Sequence, residues 1–287
     1  MIKLEIGTLS GTTLSGVLFS GHRARTVVIG ITGIHGNFYS NPFYFNIGKT
    51  LSAANIDFIY AQTRDAIDRT ESVNRISDKI EITGSFNEDF TDSNEDVQAY
   101  IDFAESQGYE NIILAGHSLG ANKVIRYLSM HHDVRVKKFI LLSPANIRHL
   151  TSCVTTREKE IICQFRESGR GQDILPFPLL GWLNCVADTA YQWVFSDILD
   201  NVHVEKDGDF SQVEKITHSG AMIIGTFDRF TYGDPCAFLN NINAHMVTAS
   251  NNILTYVENT GHTYQHKEQE LADILLNIVS HWTSQKC

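Results

Sequence analysis

The sequence has 287 residues, which allows one large domain with a sizeable core or two small ones, and 43% of its residues are hydrophobic. Its formal net charge is −10 and no cluster of Lys and Arg stands out, which disfavours nucleic acid and anionic membrane surfaces as partners, because both require a basic patch. No apolar run is long enough to span a bilayer.

The N-terminus and the cysteines indicate in which cellular compartment the protein works. Met1–Ile6 alternates like a strand and lacks the long apolar core of a signal peptide. The cysteines are odd in number and scattered, without a C-x-x-C pair, so neither a disulfide framework nor a zinc site is indicated. They are Cys153, Cys163, Cys185, Cys236 and Cys287. We expect a cytoplasmic protein with free thiols, no metal and no other cofactor.

The chain begins with a predicted β-hairpin and continues into a buried strand. Met1–Ile6 and Leu14–Ser20 are the hairpin strands, joined by the turn Ser10–Thr13. Thr26–Thr32 is a continuous apolar run, typical of a strand buried on both faces of a mostly parallel sheet. The glycine-containing loop Gly33–Pro42 follows directly, and such a loop allows the backbone to approach a ligand closely.

The next region alternates between ordered segments and a long polar stretch. Phe45–Asn55 is a predicted helix and Phe58–Ala61 a predicted strand. Gln62–Asp92 is polar and charged without a strong period, and we interpret it as a long surface excursion. Arg64 and Asp65 follow the strand directly, and a surface ion pair is favoured over a place near a functional site.

A serine lies at the centre of a predicted strand-to-helix turn. An amphipathic helix over residues 97–104 precedes the apolar run Ile112–Ala115, which ends in Gly116-His117-Ser118-Leu119-Gly120. Val124, Ile125 and Leu128 then recur at helical spacing. This is the context of a nucleophile elbow, G-x-S-x-G. The glycines permit the tight turn, and the start of a helix favours negative charge near the serine hydroxyl.

The strand and helix rhythm is interrupted after the next predicted strand, Lys138–Leu142. From Ile147 to about Ile216 the chain carries many aromatic side chains, including Trp182, and two prolines. An insertion of this length between core strands is a candidate lid over a pocket. The alternative is a helical excursion whose aromatics pack only on one another. We therefore predict a core of residues 1–146 and 217–287 with a lid of residues 147–216.

Regular alternation returns in the last quarter of the chain. Gly220–Gly225 and Asn252–Val257 are predicted strands, Asp234–Ile242 is a predicted helix, and the last helix has one apolar face. Buried strands that alternate with amphipathic helices predict an α/β fold with a mainly parallel sheet. Ligands of such sheets bind at the carboxyl ends of the strands.

Three residues follow the carboxyl ends of predicted strands in the order Ser118, Asp228, His262. A serine hydroxyl becomes a good nucleophile only when a base removes its proton, and an imidazole titrates near neutrality. The aspartate would orient the histidine and stabilise the imidazolium. Asp234 is a rival acid, but Asp228 lies closer to its strand end. His117 is expected to be a neighbour of the serine and not the base.

Further residues complete the predicted site. The backbone N–H of Leu119 is one expected donor to a developing oxyanion, and the second comes from the loop after Thr32. For this second donor we favour Asn37, with Ile34 as the alternative. Side chains expected to contact the substrate are His35, Phe38, His117 and Trp182.

The motif Gly116–Gly120, with Asp228 and His262, resembles the α/β-hydrolase superfamily over nearly the whole chain. Gly33–Pro42, and Gly116–Ile125 followed by Leu141-Leu142-Ser143-Pro144, are similar to a group of serine hydrolases that includes the siderophore-esterase-like DUF1749 proteins. The resemblance implies the α/β-hydrolase fold, with a mostly parallel eight-stranded sheet, helices on both faces and an inserted lid. It also implies a Ser-His-Asp triad, no metal, and small-molecule ester or thioester substrates.

The residues and the resemblance together leave three functions to compare. The first is a carboxylic-ester hydrolase that forms an acyl-enzyme at Ser118. The second is a thioesterase or acyltransferase of a biosynthetic pathway, which acts on a free or carrier-bound acyl group and passes it to an acceptor other than water. The third is a non-catalytic ligand-binding protein, against which the complete set of Ser, Asp and His argues, because a binder needs none of them.

Overall fold

An eight-stranded sheet forms the centre of the fold, in a computed structural model that describes residues 1–284. Cys287 lies outside the described residues. The strand order is β1-β2-β4-β3-β7-β8-β9-β10, and β5 and β6 form a separate two-stranded sheet. The strands are β1 (Ile2–Gly7), β2 (Thr13–Phe19), β3 (Thr26–Ile31), β4 (Asp57–Ala61), β5 (Thr70–Val73), β6 (Ile80–Thr83), β7 (Asn111–Ser118), β8 (Val136–Pro144), β9 (Gly220–Gly225) and β10 (Ile253–Val257).

The sheet is mostly parallel, as the sequence predicts. The β1–β2 and β2–β4 pairs are antiparallel, and every other pair in the large sheet is parallel. All residues of β3 and β9 are buried, which explains their unbroken apolar sequences. The carboxyl ends of β7, β9 and β10 therefore lie at one edge of the sheet, where the polar residues that follow them converge.

Helices cover both faces of the sheet and divide the core into two clusters. Along β3, Val27, Ile29 and Ile31 belong to the cluster on one face of the sheet, whereas Val28 belongs to the cluster on the other face. Within residues 1–284, no helix combines the length and the apolar character that a membrane crossing requires. The helices are α1 (Phe43–Ala53), α2 (Ser93–Ser106), α3 (Leu119–Met130), α4 (Ile147–Thr151), α5 (Thr156–Glu167), α6 (Ala187–Phe195), α7 (Pro235–Ala244) and α8 (Glu268–Ser284).

The stretch Gln62–Asp92 is not the surface excursion that its polarity predicts. It contains β5 and β6, and near each of its two ends it has side chains that are buried in ion pairs. Arg64, whose side chain is only 11% exposed, pairs with Asp96 at 2.7 Å. The expected surface ion pair of Arg64 and Asp65 is wrong, because each of these side chains pairs with a different helix instead.

The inserted segment between β8 and β9 packs on the core. Ile147, Leu183 and Trp193 share an apolar cluster with Leu119, the residue that follows the serine of the elbow. The backbone N–H of Val186 also donates to the carbonyl oxygen of Phe86 at 2.8 Å. The aromatic residues of the insertion therefore do not pack only on one another.

Candidate active site

Ser118 ends β7 and immediately precedes α3. Its backbone angles are φ 57° and ψ −130°, a strained conformation for a residue with a side chain. The turn is possible only because its flanking residues are glycines. A Cβ atom on Gly116 would overlap the backbone of Gly120, and one on Gly120 would overlap the carbonyl of Ile31. The sharp turn holds the Ser118 hydroxyl at the carboxyl edge of the sheet.

Ser118, His262 and Asp228 form a continuous hydrogen-bonded chain. His262 Nε2 lies 2.8 Å from Ser118 Oγ, and His262 Nδ1 lies 2.9 Å from Asp228 Oδ2. The Nδ1–H donates to the carboxylate, which leaves Nε2 free to accept the serine proton. The three residues come from the ends of β7, β9 and β10, so the sheet itself sets these distances.

The Asp228 carboxylate is buried but held in its charged form. Burial alone would raise its pKa, but the neighbouring His262 and the backbone N–H of Phe230, which donates to Oδ1 at 3.0 Å, bring the pKa below its ordinary value. The rival, Asp234, has another role. Its side chain accepts from the backbone N–H of Ala237 at 2.8 Å and caps the start of α7.

His117 supports the backbone of His262. Its Nε2–H donates to the carbonyl oxygen of His262 at 2.8 Å, and its ring packs edge-on against Phe43 with 4.9 Å between ring centres. Complete burial, together with the adjacent His262, lowers the pKa of His117 to about 3. The ring is therefore neutral near pH 7, and it lines the innermost wall of the site beside Ser118.

The loop after β3 brings a free backbone donor beside the elbow, and that donor is not Asn37. The N–H of Asn37 donates to Ser40 Oγ at 2.9 Å, so our favoured assignment is not supported. A Cβ atom on Gly33 would lie 3.0 Å from Ser118 Cβ and 3.1 Å from the nitrogen of Leu119, which shows how closely this loop approaches the elbow. Ile34 comes next, and its N–H has no hydrogen-bond partner within residues 1–284.

A cavity of about 380 Å³ opens above Ser118 and His262. Its walls are largely apolar, and the insertion supplies Ile147, Leu150, Trp182 and Trp193. His35 also lines it, with Nε2 2.6 Å from Ser85 Oγ and its ring edge-on to Trp182. The apolar side chains that line the cavity are Ile34, Leu119, Ala145, Ile147, Leu150, Trp182, Trp193 and Phe230.

Phe38 does not line the cavity, contrary to expectation. Its ring packs edge-on against Tyr60 with 5.1 Å between ring centres, and its backbone N–H donates to Gln62 Oε1. A larger groove of about 580 Å³ lies beside β2 and β5, but none of Ser118, Asp228 and His262 lines it. The smaller cavity is therefore the one that contains the reactive groups.

A buried ion cluster lies behind the site and was not predicted from the sequence. Lys123 Nζ lies 2.5 Å from Asp65 Oδ1, 2.9 Å from Thr63 Oγ1 and 3.8 Å from Glu88 Oε1. The carbonyl oxygen of Asp65 accepts from the N–H of His35, which ties the cluster to the loop after β3. The one indication of this cluster in the sequence is a lysine on the apolar side of the helix that follows the elbow.

The two carboxyls of this cluster differ in their pKa. Burial and the negative charge of Asp65 raise the pKa of Glu88 well above its ordinary value. Burial would also raise the pKa of Asp65, but Lys123 lowers it below its usual range. The Asp65 carboxylate therefore pairs with Lys123, whereas the raised pKa of Glu88 favours its neutral form. Glu88 also accepts from Trp193 Nε1 at 3.4 Å, so the cluster reaches the cavity wall.

The described part of the chain offers no group of three or more metal-ligating side chains close enough to hold a metal ion. Of the cysteines within residues 1–284, Cys185 is buried and burial raises the pKa of its thiol to about 12. Cys153 and Cys236 are exposed, and no cysteine among the described residues lines the cavity.

A family model described as serine aminopeptidase, S33, matches residues 83–166, which contain Ser118. No curated protein sequence matches the chain.

Solved structures are similar over almost the whole chain. Est1E from Butyrivibrio proteoclasticus is 16% identical with a TM-score of 0.64, over 98% of this chain and 99% of that one. The α/β hydrolase GrgF from Penicillium sp. sh18 is 17% identical with a TM-score of 0.67, over 96% of each chain. The esterase EaEST from Exiguobacterium antarcticum is 16% identical with a TM-score of 0.62, over 97% of this chain and 100% of that one. At these identities the similarity establishes the fold.

Proposed function

Since this chain is an α/β hydrolase by fold, we propose that it is a serine hydrolase that cleaves a carboxylic ester through an acyl-enzyme at Ser118. One observation carries the proposal: both nitrogens of His262 are engaged, one with Ser118 Oγ and the other with Asp228. A protein that only binds a ligand has no need of this arrangement. The narrower likeness to the DUF1749 group stays a prediction.

In the acylation step, His262 Nε2 takes the proton of the Ser118 hydroxyl as its oxygen attacks the ester carbonyl carbon. The Asp228 carboxylate stabilises the imidazolium that forms. The imidazolium then protonates the leaving alcohol oxygen as the ester C–O bond breaks, and the acyl group stays on Ser118. In the second step, water loses a proton to His262 and attacks the acyl carbonyl carbon. The bond from that carbon to Ser118 Oγ then breaks, His262 returns the proton to Oγ, and the acid is released.

The negative charge on the carbonyl oxygen needs preorganised donors. The N–H of Leu119, at the first position of α3, has no partner within its helix. The N–H of Ile34 is the second donor that we propose, because it is free and its loop lies against the elbow. Each such donor contributes on the order of 3 kcal/mol to transition-state stabilisation.

The insertion of residues 147–216 acts as the lid of the core formed by residues 1–146 and 217–287. Its apolar side chains form one wall of the cavity above Ser118. This wall supports an apolar or aromatic acyl group. Est1E, one of the similar structures, was solved with ferulic acid bound, which is an aromatic acid.

A burst assay tests the proposal. The protein is mixed with p-nitrophenyl esters of increasing acyl length, beside Ser118→Ala and a control, Ser129→Ala, on the far end of α3. We expect a burst of p-nitrophenol proportional to enzyme, followed by turnover, and a loss of kcat of at least about 10⁴-fold in Ser118→Ala alone. Acyl length then reports on the size of the cavity.

Other outcomes of these experiments would change or refute the proposed function. A burst without turnover means that the acyl-enzyme forms but awaits another acceptor, which favours an acyltransferase. Equal activity in Ser118→Ala and the unaltered protein would refute the proposal. A fluorophosphonate probe that labels the unaltered protein but not Ser118→Ala would show an activated serine whose substrate is simply absent from the ester series.

A further inference from the structure

The charge of the cavity differs in sign from that of the whole chain. The chain has a net charge of −10, yet no carboxylate lines the cavity and Arg229 is its one permanently charged lining residue among those described. Arg229 directly follows Asp228 in the sequence. A substrate that enters this cavity therefore meets a guanidinium and no negative side chain.

The Arg229 guanidinium is available to a ligand. Within residues 1–284 it forms no ion pair or hydrogen bond, whereas Arg64 and Arg135 each bind several carboxylates. Its guanidinium carbon lies over the ring of Phe230, 4.9 Å from the ring centre. A guanidinium stacked on a ring keeps its five N–H donors free at its edges, where a planar or tetrahedral anion can bind two of them.

Phe230 connects Arg229 to the base. The ring of Phe230 packs edge-on against His262, with 4.4 Å between ring centres. The Phe230 ring thus contacts both the guanidinium and the imidazole that returns a proton to the leaving group. Thr263, the residue after His262, also lines the cavity, and its hydroxyl has no partner within the described residues. Because His262 returns the proton to the leaving group, we infer that Arg229, Phe230 and Thr263 face the leaving-group half of a bound ester.

We propose that Arg229 binds an anionic group, a carboxylate or a phosphate, carried on the leaving-group side of the substrate. This inference rests on the proposed ester hydrolysis. The anion takes no part in bond making: the ester C–O bond breaks, His262 donates the proton, and the anionic alcohol departs. Arg229 acts as a specificity-determining residue that holds the alcohol half against His262 while the apolar wall of the insertion holds the acyl half.

The test uses leaving groups that match in size but differ in charge. Acetyl esters of 4-hydroxybenzoate and 4-hydroxybenzamide are compared in the unaltered protein, Arg229→Gln and Arg229→Lys. A control variant, Arg157→Gln, removes an exposed charge of α5 outside the cavity. We expect Arg229→Gln to lower kcat/KM for the anionic ester about 10- to 100-fold, mostly through KM, with less than a threefold change for the neutral ester. We expect Arg229→Lys to retain part of the preference for the anionic ester over the neutral one.

Two further pairs of substrates show whether the anion is a carboxylate or a phosphate, and whether it lies on the leaving-group side or the acyl side of the ester. 4-Acetoxyphenyl phosphate against 4-acetoxybenzamide tests a phosphate, and dependence on Arg229 there but not with the benzoate ester assigns a phosphate ligand. p-Nitrophenyl hemiglutarate against p-nitrophenyl valerate places the anion on the acyl side, where we expect no dependence on Arg229. Dependence on Arg229 in this pair alone would overturn the proposed side.

The failure of this inference is distinguishable from failure of the proposed function. If Arg229→Gln changes anionic and neutral esters by the same factor, Arg229 has no role in specificity and the ester hydrolase proposal stands. If neither ester is cleaved in a Ser118-dependent way and the fluorophosphonate probe also fails to label Ser118, both proposals fail together. An Arg157→Gln effect equal to that of Arg229→Gln would show a general effect of net charge and would also overturn the inference.

Discussion

At the scale of single residues, Asp228 is fixed from two directions. His262 Nδ1 binds one carboxylate oxygen and the N–H of Phe230 binds the other. The sequence could predict this residue because it follows a buried strand directly. Asp234 lies only a few residues further on, but it is at the start of a helix that it caps.

Asp228→Asn should lower kcat by about 10³- to 10⁴-fold, because the amide no longer stabilises the imidazolium and favours the wrong tautomer. Asp234→Asn is the matched control, and it should leave kcat nearly unchanged because asparagine also caps helices well. Steady-state kinetics with one p-nitrophenyl ester compares the two variants. A similar loss in both would contradict the assignment of Asp228.

The residues that sequence reasoning placed wrongly share one cause. Their position in a loop predicts roles for Asn37 and Phe38 in the site. Whether a backbone N–H stays free for a ligand, however, depends on local turns, such as the one in which Ser40 Oγ accepts from the N–H of Asn37. Phe38 turns away because Tyr60, on β4, offers an aromatic surface. Neither contact leaves a periodic signal in the sequence. Arg229 is not singled out by the sequence, because a single arginine after a strand has many ordinary explanations.

At the scale of elements, the buried cluster joins three parts of the fold. Lys123 comes from α3, Asp65 from the segment after β4, and Glu88 from the segment before α2. Sequence polarity placed the last two on the surface, because composition alone does not reveal that their charges meet a lysine inside the protein. The helix pattern of α3 predicted the apolar face but not the lysine within it.

Lys123→Met should lower the free energy of unfolding by about 3–5 kcal/mol, because it leaves the Asp65 carboxylate buried without a cation, with the Thr63 hydroxyl as a remaining donor. Asp65→Asn added to Lys123→Met should recover a large part of this loss. Urea unfolding followed by circular dichroism measures both. Lys137→Met, at an exposed position of β8, should change stability by less than about 0.5 kcal/mol. A double variant that is no more stable than the single one would contradict this account.

At the scale of the whole molecule, alternating apolar strands and amphipathic helices were sufficient to predict the parallel sheet and its helices. Buried strands such as β3 and β9 have unbroken apolar sequences because both of their faces are covered. The insertion was recognised by the loss of this alternation. Its packing against Leu119 was beyond prediction, because contacts between segments distant in sequence have no periodicity.

The stability of the whole fold should depend on pH through His117. In the unfolded chain its pKa is near 6.5, whereas in the folded protein it is about 3. Between these values the unfolded state binds the additional proton, so stability falls as pH decreases from about 6.5 towards 3, by about 1.4 kcal/mol per pH unit. Above pH 6.5 this contribution is constant. His117→Gln keeps a donor for the carbonyl of His262 and removes this titration.

Urea unfolding of both proteins between pH 5 and pH 7 measures the effect. The difference in unfolding free energy between the unaltered protein and His117→Gln should shrink as pH falls, because only the unaltered chain loses stability through this residue. Two curves that stay parallel over the whole range would show that the folded His117 takes up its proton as readily as the unfolded one.

The order of the strands along the chain has a consequence for biosynthesis. Ser118 lies on β7, but Asp228 and His262 follow β9 and β10, which the ribosome completes only after the long insertion. A nascent chain that has folded as far as the insertion holds its serine without a base or an acid. If the proposed triad is the catalytic one, Ser118 cannot be activated until β10 has joined the sheet and His262 has reached it, so ester cleavage has to wait until the ribosome has synthesised the chain as far as His262.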